Sequence, residues 1–391
     1  MLKNALTGIK VLDLSRILAG PWCTQNLADL GAEVIKIEHP QRGDDTRGWG
    51  PPYLEGRGGQ NMSSYFMSCN RGKHSVCADF STPEGKNLII SLAKDADVLV
   101  ENYKPATLAR YGLDYKTLSQ ENPRLVYISI TGFGQDGPMS EKPGYDYVFQ
   151  GMGGLMSYTG HADRMSGAGP LRTGVAVVDL CTGMYATSAV LAALFQRERT
   201  NRGTYIDLAL LDVAVALNAN QGANYLVSGA NPERSGNAHP NCAPYEVFRC
   251  ADGHMILAVG NDSQFQRFCE VAGVPAWSDD PRFATNSNRI SNLPELRKML
   301  TEVFVTRTRD DWAAALDAAG VPWGPINTLE QVFANPQVRH RKLMQHVAHP
   351  DFGPVPMVRN PMLSNEDERE IATPAPPRLG EHSCKYAPVH D

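Results

Sequence analysis

The first two hundred residues alternate short β-rich runs with helical stretches, and this alternation limits the possible folds more than any other feature of the chain. The runs are "IKVLDLS" (9–15), "EVIKIE" (33–38), "SVCADF" (75–80), "DVLVEN" (97–102) and "RLVYISIT" (124–131). Helical patterns lie between several of them, "PWCTQNLADLG" after the first and "PEGKNLIISLAKD" before the fourth. Each opens on a proline, Pro21 or Pro83, which suits a first helical turn. The pattern predicts a mainly parallel sheet covered on both faces, that is, a three-layer α/β fold.

Beyond this region the pattern changes. "TGMYATSAVLAALFQRERTNRG" (182–203) spaces Met184, Tyr185, Ala189, Val190, Ala193 and Leu194 as the apolar stripe of a helix, with Gly203 as its stop. "TYIDLALLDVAVALNANQGANYLVSG" continues with a strand and a second helix. "GANPERSGNAHPNCA" (229–243) reads as a loop or domain boundary. "YEVFRCADGHMILAVG" then signals a hairpin around Asp252-Gly253, helical stretches follow to about residue 320, and a proline-rich tail is expected to wrap over another surface. A length of 391 residues allows two domains, or one large domain with an insertion.

Several classes of function are excluded by what is missing. Net charge is −5 with no basic block, which argues against nucleic acid as a partner. "MLKNALTGIKVLDLS" lacks the apolar core of a signal peptide, and no run is expected to span a membrane, so a cytoplasmic protein with reduced thiols is expected. The eight cysteines form no C-x-x-C pair. There is no G-x-x-x-x-G-K-[ST], no G-x-G-x-x-G after the first strand, no G-x-S-x-G and no H-E-x-x-H. His340, His346 and His349 do not share a helical face and read as a solvated segment, so no metal is expected.

One residue stands out against this background. In "RTGVAVVDLCTG" (172–183), Asp179 interrupts an apolar run, where a carboxylate is costly unless it is capped, paired or chemically employed. Locally it reads as the N-cap of the helix that follows. A carboxylate there is also held ionised beside free backbone N–H groups, so Asp179 is equally a candidate nucleophile.

Further blocks carry a resemblance. "LTGIKVLDLSRILAGP" (6–21), "GAEVIKIEHPQRGDDTR" (31–47), "NRGKHSV" (70–76), "ADVLVENYKP" (96–105), "NPRLVYISITGFGQDGP" (122–138) and "GYDYVFQGMGGLMSYTG" (144–160) resemble, in order, the class III CoA-transferases, the carnitine and bile-acid CoA-transferase family. "VVDLCTGMYATSAVLAALFQRERTNRG", "GVPWGPINTLEQVFANPQV" (320–338) and "LGEH" (379–382) extend the resemblance over nearly the whole chain.

The resemblance implies a large Rossmann-like domain formed by both chain ends and a smaller inserted α+β domain, in an interlocked homodimer. It divides the chain into a large-domain part at 1–200, a linker at 201–228, a small domain at 229–325, and a linker with C-terminal return at 326–391. It implies Asp179 as the catalytic nucleophile, forming an anhydride and then an aspartyl-CoA thioester. It implies His39, Arg71, Lys73, Asn102 and Arg110 as CoA contacts, and Arg16, Arg47, Tyr145, Asp146 and His239 on the acyl side, with Arg172 and Asn237 as further candidates. CoA enters as part of the acyl-CoA substrate, and no other cofactor is expected. "GDDTRGWGPPY" and "SITGFGQDGPMSEKPGYD" are most similar to the succinyl-CoA:glutarate branch, so a dicarboxylic acid is the expected acceptor. Oxalate, itaconate, a hydroxy-dicarboxylate or carnitine are alternative acceptors. An acyl-CoA racemase of the same fold is the alternative from another reaction class, but it would need a histidine near position 149, where Phe149 and Gln150 stand.

Overall fold

The computed structural model describes residues 2–163, 165–364, 369–371 and 373–386. Six strands form one sheet: β1 (Lys10–Asp13), β2 (Glu33–Glu38), β3 (Lys73–Cys77), β4 (Val98–Glu101), β5 (Val126–Thr131) and β6 (Thr204–Ala209). Their order is β3-β2-β1-β4-β5-β6 and every neighbouring pair is parallel. All six fall within strand segments expected from sequence or overlap them, β6 at the start of "TYIDLALLDV". β4 and β5 are buried at every position, as strands covered on both faces must be.

Helices close both faces. On one face α1 (Ala19–Asp29) and α4 (Val177–Thr200) pack Leu27, Ala186 and Val190 against Val11, Val98 and Ile128. On the other, α2 (Pro83–Lys94) packs Ile89 against Leu12, Ile35 and Leu99. Pro83 stands at the start of α2, and the Thr82 hydroxyl accepts the Gly85 N–H at 3.1 Å as its cap. Pro21, in contrast, lies inside the first turn of α1 rather than at its first position.

The long helix departs from the sequence reading at both ends. It begins at Val177, five residues before the stretch read as helix, so Asp179 is its third residue rather than its N-cap. It ends on Asn201 in the left-handed conformation, not at Gly203. Gly203 has another function: a Cβ there would lie 1.9 Å from the Leu125 carbonyl oxygen, where β6 joins the sheet. By length and composition this helix also meets the measure for a membrane span, contrary to the sequence expectation. Nearly half of that window, 44%, is buried against protein, as in a core helix.

The chain divides into two compact units. One comprises residues 1–155, 172–227 and 335–391, so both chain ends contribute to it. Residues 201–228, expected as a linker, supply its edge strand β6 and the helix Leu210–Ala216. The tail packs on this same unit: Gly380 N–H donates to Ser75 Oγ and His382 N–H to the Ser75 carbonyl, covering the β3 edge. His349 is buried against Phe352, not solvated.

The other unit comprises 156–171 and 228–334. Its antiparallel sheet contains Tyr245–Cys250 paired with Gly253–Ala258, the hairpin read from sequence, and Trp323–Pro325. Phe248, Phe268, Phe304 and Trp312 stack at its centre.

Candidate active site

A sheet ordered 3-2-1-4-5-6 reverses direction between its first and fourth strands, and ligands of such sheets bind beyond the carboxyl ends at that reversal. Beyond the ends of β1, β4 and β5 lies a cavity of about 200 Å³. Its walls are the turn Arg16–Ala19, the segment Asn102–Pro105, Ile130–Gly132 and the loop from Ser140 to Tyr145, and Asp179 opens into it from α4.

Asp179 owes its position to a residue from another element. Asp146, the first residue of α3 (Asp146–Met152), is buried, and its Oδ1 accepts the N–H of Val178 at 2.8 Å and of Asp179 at 3.1 Å. These are donors that a helix start leaves without intrahelical partners, and the methyl side chain of the cap residue Ala176 offers them no acceptor. Gln150 Nε2 donates to Asp146 Oδ2 at 2.5 Å, and Gln150 Oε1 accepts the Thr173 N–H at 2.9 Å. This chain of contacts ties the segment before α4 to its first turn. Burial pushes the Asp179 carboxyl up to about 7, with the like charge of Asp146 adding to the rise. A carboxylate that ionises near neutrality combines availability with basicity, as a nucleophile requires. Cys181, two residues on, has its thiol pushed up by burial and then by Asp146, which suppresses the thiolate.

The other expected residues fall into three groups. Arg16, Asn102 and Tyr145 line the same cavity as Asp179. Arg16 pairs with Asp45 at 2.8 Å and lies over the Tyr103 ring. Tyr145 is largely exposed. Both ends of the Asn102 amide engage the Arg16 backbone, with its Oδ1 accepting the N–H at 2.8 Å and its Nδ2 donating to the carbonyl at 2.7 Å.

His39 lines a second cavity of about 260 Å³ beyond the ends of β1 to β3, with Arg42, Asp79 and Phe80; Arg16 borders it too. Its Nε2 lies 3.8 Å from the Asp79 carboxylate.

The remaining residues are held elsewhere. Arg71 makes paired contacts of 2.8 and 2.5 Å with Asp29 and donates to the Val358 carbonyl. Lys73 is fully enclosed by Asp13, Asn70 and the Pro21 carbonyl. Arg47 grips buried Glu38 through two bonds of 2.7 Å and stacks on Phe66, bordering a different cavity. These three cations are therefore held by neighbours within the fold rather than facing Asp179. Asp146, expected on the acyl side, is occupied as a cap. Arg110 lies exposed on the short helix Leu108–Tyr111, outside the Asp179 cavity. Arg172 is exposed against Tyr147. His239 and Asn237 belong to the other compact unit, where the His239 ring packs on Tyr245.

Sequence reasoning passed over Lys104 and Lys142, which line the Asp179 cavity and have no carboxylate partner among the described residues. Both stand in blocks used for the resemblance, "ENYKP" and "SEKPGYD", and proline or glycine beside them marks a loop able to face a ligand. It also passed over Gln150 and Thr173, whose contacts join segments distant in sequence. Phe149 is fully buried against Phe133, and Gln150 is bonded to Asp146. Neither supplies the base that the racemase alternative needs near that position.

Comparison with known proteins agrees with this architecture. The profile of CoA-transferase family III matches residues 6–383. A succinate–glutarate CoA-transferase of Agrobacterium fabrum is 48% identical over 384 residues, covering 98% of this chain and 95% of that protein. A succinyl-CoA:glutarate CoA-transferase of Homo sapiens is 41% identical, covering 97% of this chain and 84% of that protein. The crystal structure of a CAIB/BAIF family protein from Brucella suis superposes with a TM-score of 0.84 at 46% identity, covering 97% of each chain. With a parallel sheet of the same kind and a family match along nearly its whole length, the chain belongs to CoA-transferase family III and is a class III CoA-transferase.

Proposed function

We propose that this enzyme transfers CoA from succinyl-CoA to a dicarboxylic acid of glutarate type, with Asp179 as the carrier. The observation that supports this reading best is a carboxylate raised to about 7, held on a capped helix start, in a cavity at the carboxyl ends of the strands.

An Asp179 oxygen attacks the thioester carbonyl, the C–S bond breaks, and a mixed anhydride forms as CoA thiolate leaves. The thiolate attacks the Asp179 carboxyl carbon and releases the donor acid, leaving an aspartyl-CoA thioester. The acceptor carboxylate displaces CoA to form a second anhydride, and the thiolate attacks its acyl carbon, restoring Asp179. Each step exchanges one activated acyl bond for another, so no nucleotide hydrolysis and no cofactor beyond the CoA of the substrate is needed. The cavity beside His39 and Arg42 suits the nucleotide end of CoA, since it adjoins the Asp179 cavity across Arg16.

The choice of a dicarboxylate rests on the relatives and on the cations around Asp179. A second carboxylate inside a pocket requires a partner. Arg16 is already shared with Asp45, which leaves Lys104 and Lys142 as the cations of the cavity with no carboxylate partner among the described residues. Transfer to oxalate, itaconate, a hydroxy-dicarboxylate or carnitine is the second reading, favoured by a 36% identical acetyl-CoA:oxalate CoA-transferase of Acetobacter aceti.

The active species in this reading is an interlocked homodimer. Met184, Tyr185 and Phe195 on α4 are exposed, as are Leu226 and Val227 at 83% and 89%, and such apolar surface calls for a partner. The free cysteines accord with a reducing cytoplasm.

The test is incubation with succinyl-CoA alone, quenching with hydroxylamine and peptide mass spectrometry, beside a kinetic panel of mono- and dicarboxylic acceptors. Label on the Asp179 peptide and preference for dicarboxylates are expected. Label on Cys181, or preference for a monocarboxylate, overturns the corresponding half of the reading. Monomeric elution in gel filtration overturns the dimer.

A further inference from the structure

Between β1 and α1 the chain makes a turn whose backbone is held by side chains from the end of β1, from other strands and from the segments that follow them. Ser15 N–H donates to Asp13 Oδ1 at 2.9 Å, and the Ser15 carbonyl accepts Lys36 Nζ at 2.8 Å. The Arg16 N–H and carbonyl both engage Asn102. The Ile17 N–H points at the Asp44 carboxylate, 3.3 Å from each oxygen. The Ile17 carbonyl is 3.6 Å from Cys69 Sγ.

The residue at the centre of these contacts carries strain. Ile17 has φ +73°, a left-handed conformation that a β-branched side chain adopts only when its surroundings impose it. The turn is also folded tightly on itself, since a Cβ on Gly20 would lie 2.3 Å from Ser15 Cβ. What it gains is position. Ile17, Leu18 and Ala19 form the wall of the cavity into which Asp179 opens.

We infer that Asn102 and Asp44 are positioning residues, which brace Arg16 and Ile17 in a strained left-handed turn and so set part of the wall of the cavity that Asp179 lines. In this role Asn102 acts on turnover through the Arg16 backbone, to which it commits one acceptor site and one donor hydrogen, rather than through a contact to CoA. Asp44 can act as a charged brace because it is itself fixed. Its carboxylate pairs with buried Lys36 at 2.9 Å and accepts the Thr46 N–H at 3.0 Å. The inference rests on the transfer reaction proposed above, since its consequence is read in turnover.

The strain supplies the test. Glycine tolerates positive φ without help, so Ile17→Gly lowers the need for a brace. Four enzymes are compared as intact proteins: wild type, Asn102→Ala, Ile17→Gly and the double variant. Steady-state transfer is measured with succinyl-CoA and glutarate, and free CoA affinity by calorimetry.

Asn102→Ala is expected to lower kcat about tenfold or more while CoA affinity changes less than about twofold. In the Ile17→Gly background the same substitution is expected to cost at least about threefold less. A fall in CoA affinity that matches the fall in kcat makes Asn102 a ligand contact and overturns the inference. Equal losses in both backgrounds overturn it as well. Should Asn102→Ala fail to fold, Asn102→Asp keeps the acceptor for the Arg16 N–H and removes the donor to its carbonyl, and the same comparison applies. Failure of the transfer proposal is distinguishable, because wild type then shows no turnover. The brace is in that case judged by the Ile17 backbone in a crystal structure of Asn102→Ala, where a retained φ near +73° refutes it.

Discussion

Replacing Asp179 with asparagine should make the protein more stable and abolish transfer. Burial, then the charge of Asp146, raises this carboxyl from 3.8 to about 7. A rise of that size corresponds to roughly 4 kcal/mol of destabilisation when the group is ionised. Residual solvent access at the cavity reduces this to about 2–4 kcal/mol. The sign follows from linkage. A carboxyl whose folded pKa is raised contributes no penalty below the unfolded value, a growing penalty between about 4 and 7, and the full penalty above. Asparagine keeps the shape and removes the charge. The Tm of Asp179→Asn should therefore exceed that of wild type clearly at about pH 8, and the gap should narrow as pH falls towards about 5. In wild type, kcat/KM should rise with pH through an acid limb near 7, because only the carboxylate attacks. Scanning fluorimetry across pH and acyl-transfer assays measure both. A variant no more stable than wild type at about pH 8 would refute the buried-charge argument. Retained turnover in Asp179→Asn would refute the nucleophile.

Asp146→Ala removes the acceptor for two helix-start N–H groups, a loss of about 1–2 kcal/mol, and should also move the acid limb of kcat/KM to lower pH because a like charge has gone. Lys142→Ala should raise KM for glutarate about tenfold, the scale of one charged hydrogen bond, with little change for monocarboxylates; equal rises for all acyl-CoA donors would instead mark Lys142 as a CoA contact. Arg47→Ala strands the buried Glu38 carboxylate and should cost about 3 kcal/mol or more, seen as a fall in Tm with KM for acids unchanged in the folded fraction.

Much of the large unit was legible in the sequence because its signals are local. β-rich runs such as "RLVYISIT" and "EVIKIE" set strands wherever they occur, and Thr82-Pro83 marks a helix start through its own hydroxyl and ring. The order of the strands was a different matter. Strand order depends on how helices cover the two faces: β6 was legible as a strand, but its place beside β5, Ile128 pairing with Ile206 more than seventy residues on, was not, and the domain division had put it in a linker.

The same division holds at the site. Asp179 stood out because a carboxylate in an apolar run needs a reason, and the resemblance gave one. Its local context suggested a cap on the helix, yet it is capped by Asp146, thirty-three residues upstream. Arg47, Arg71 and Lys73 have the residue types that bind phosphates and carboxylates, and nothing in their sequence neighbourhood distinguishes a cation facing a ligand from one facing Glu38, Asp29 or Asp13. The sequence by itself determined where most of the strands and helices fall and which carboxylate is the candidate for the chemistry. The tertiary structure alone decided which charges neutralise one another inside the protein and which remain unpaired at the cavity, because ion pairing depends on distances between residues far apart along the chain.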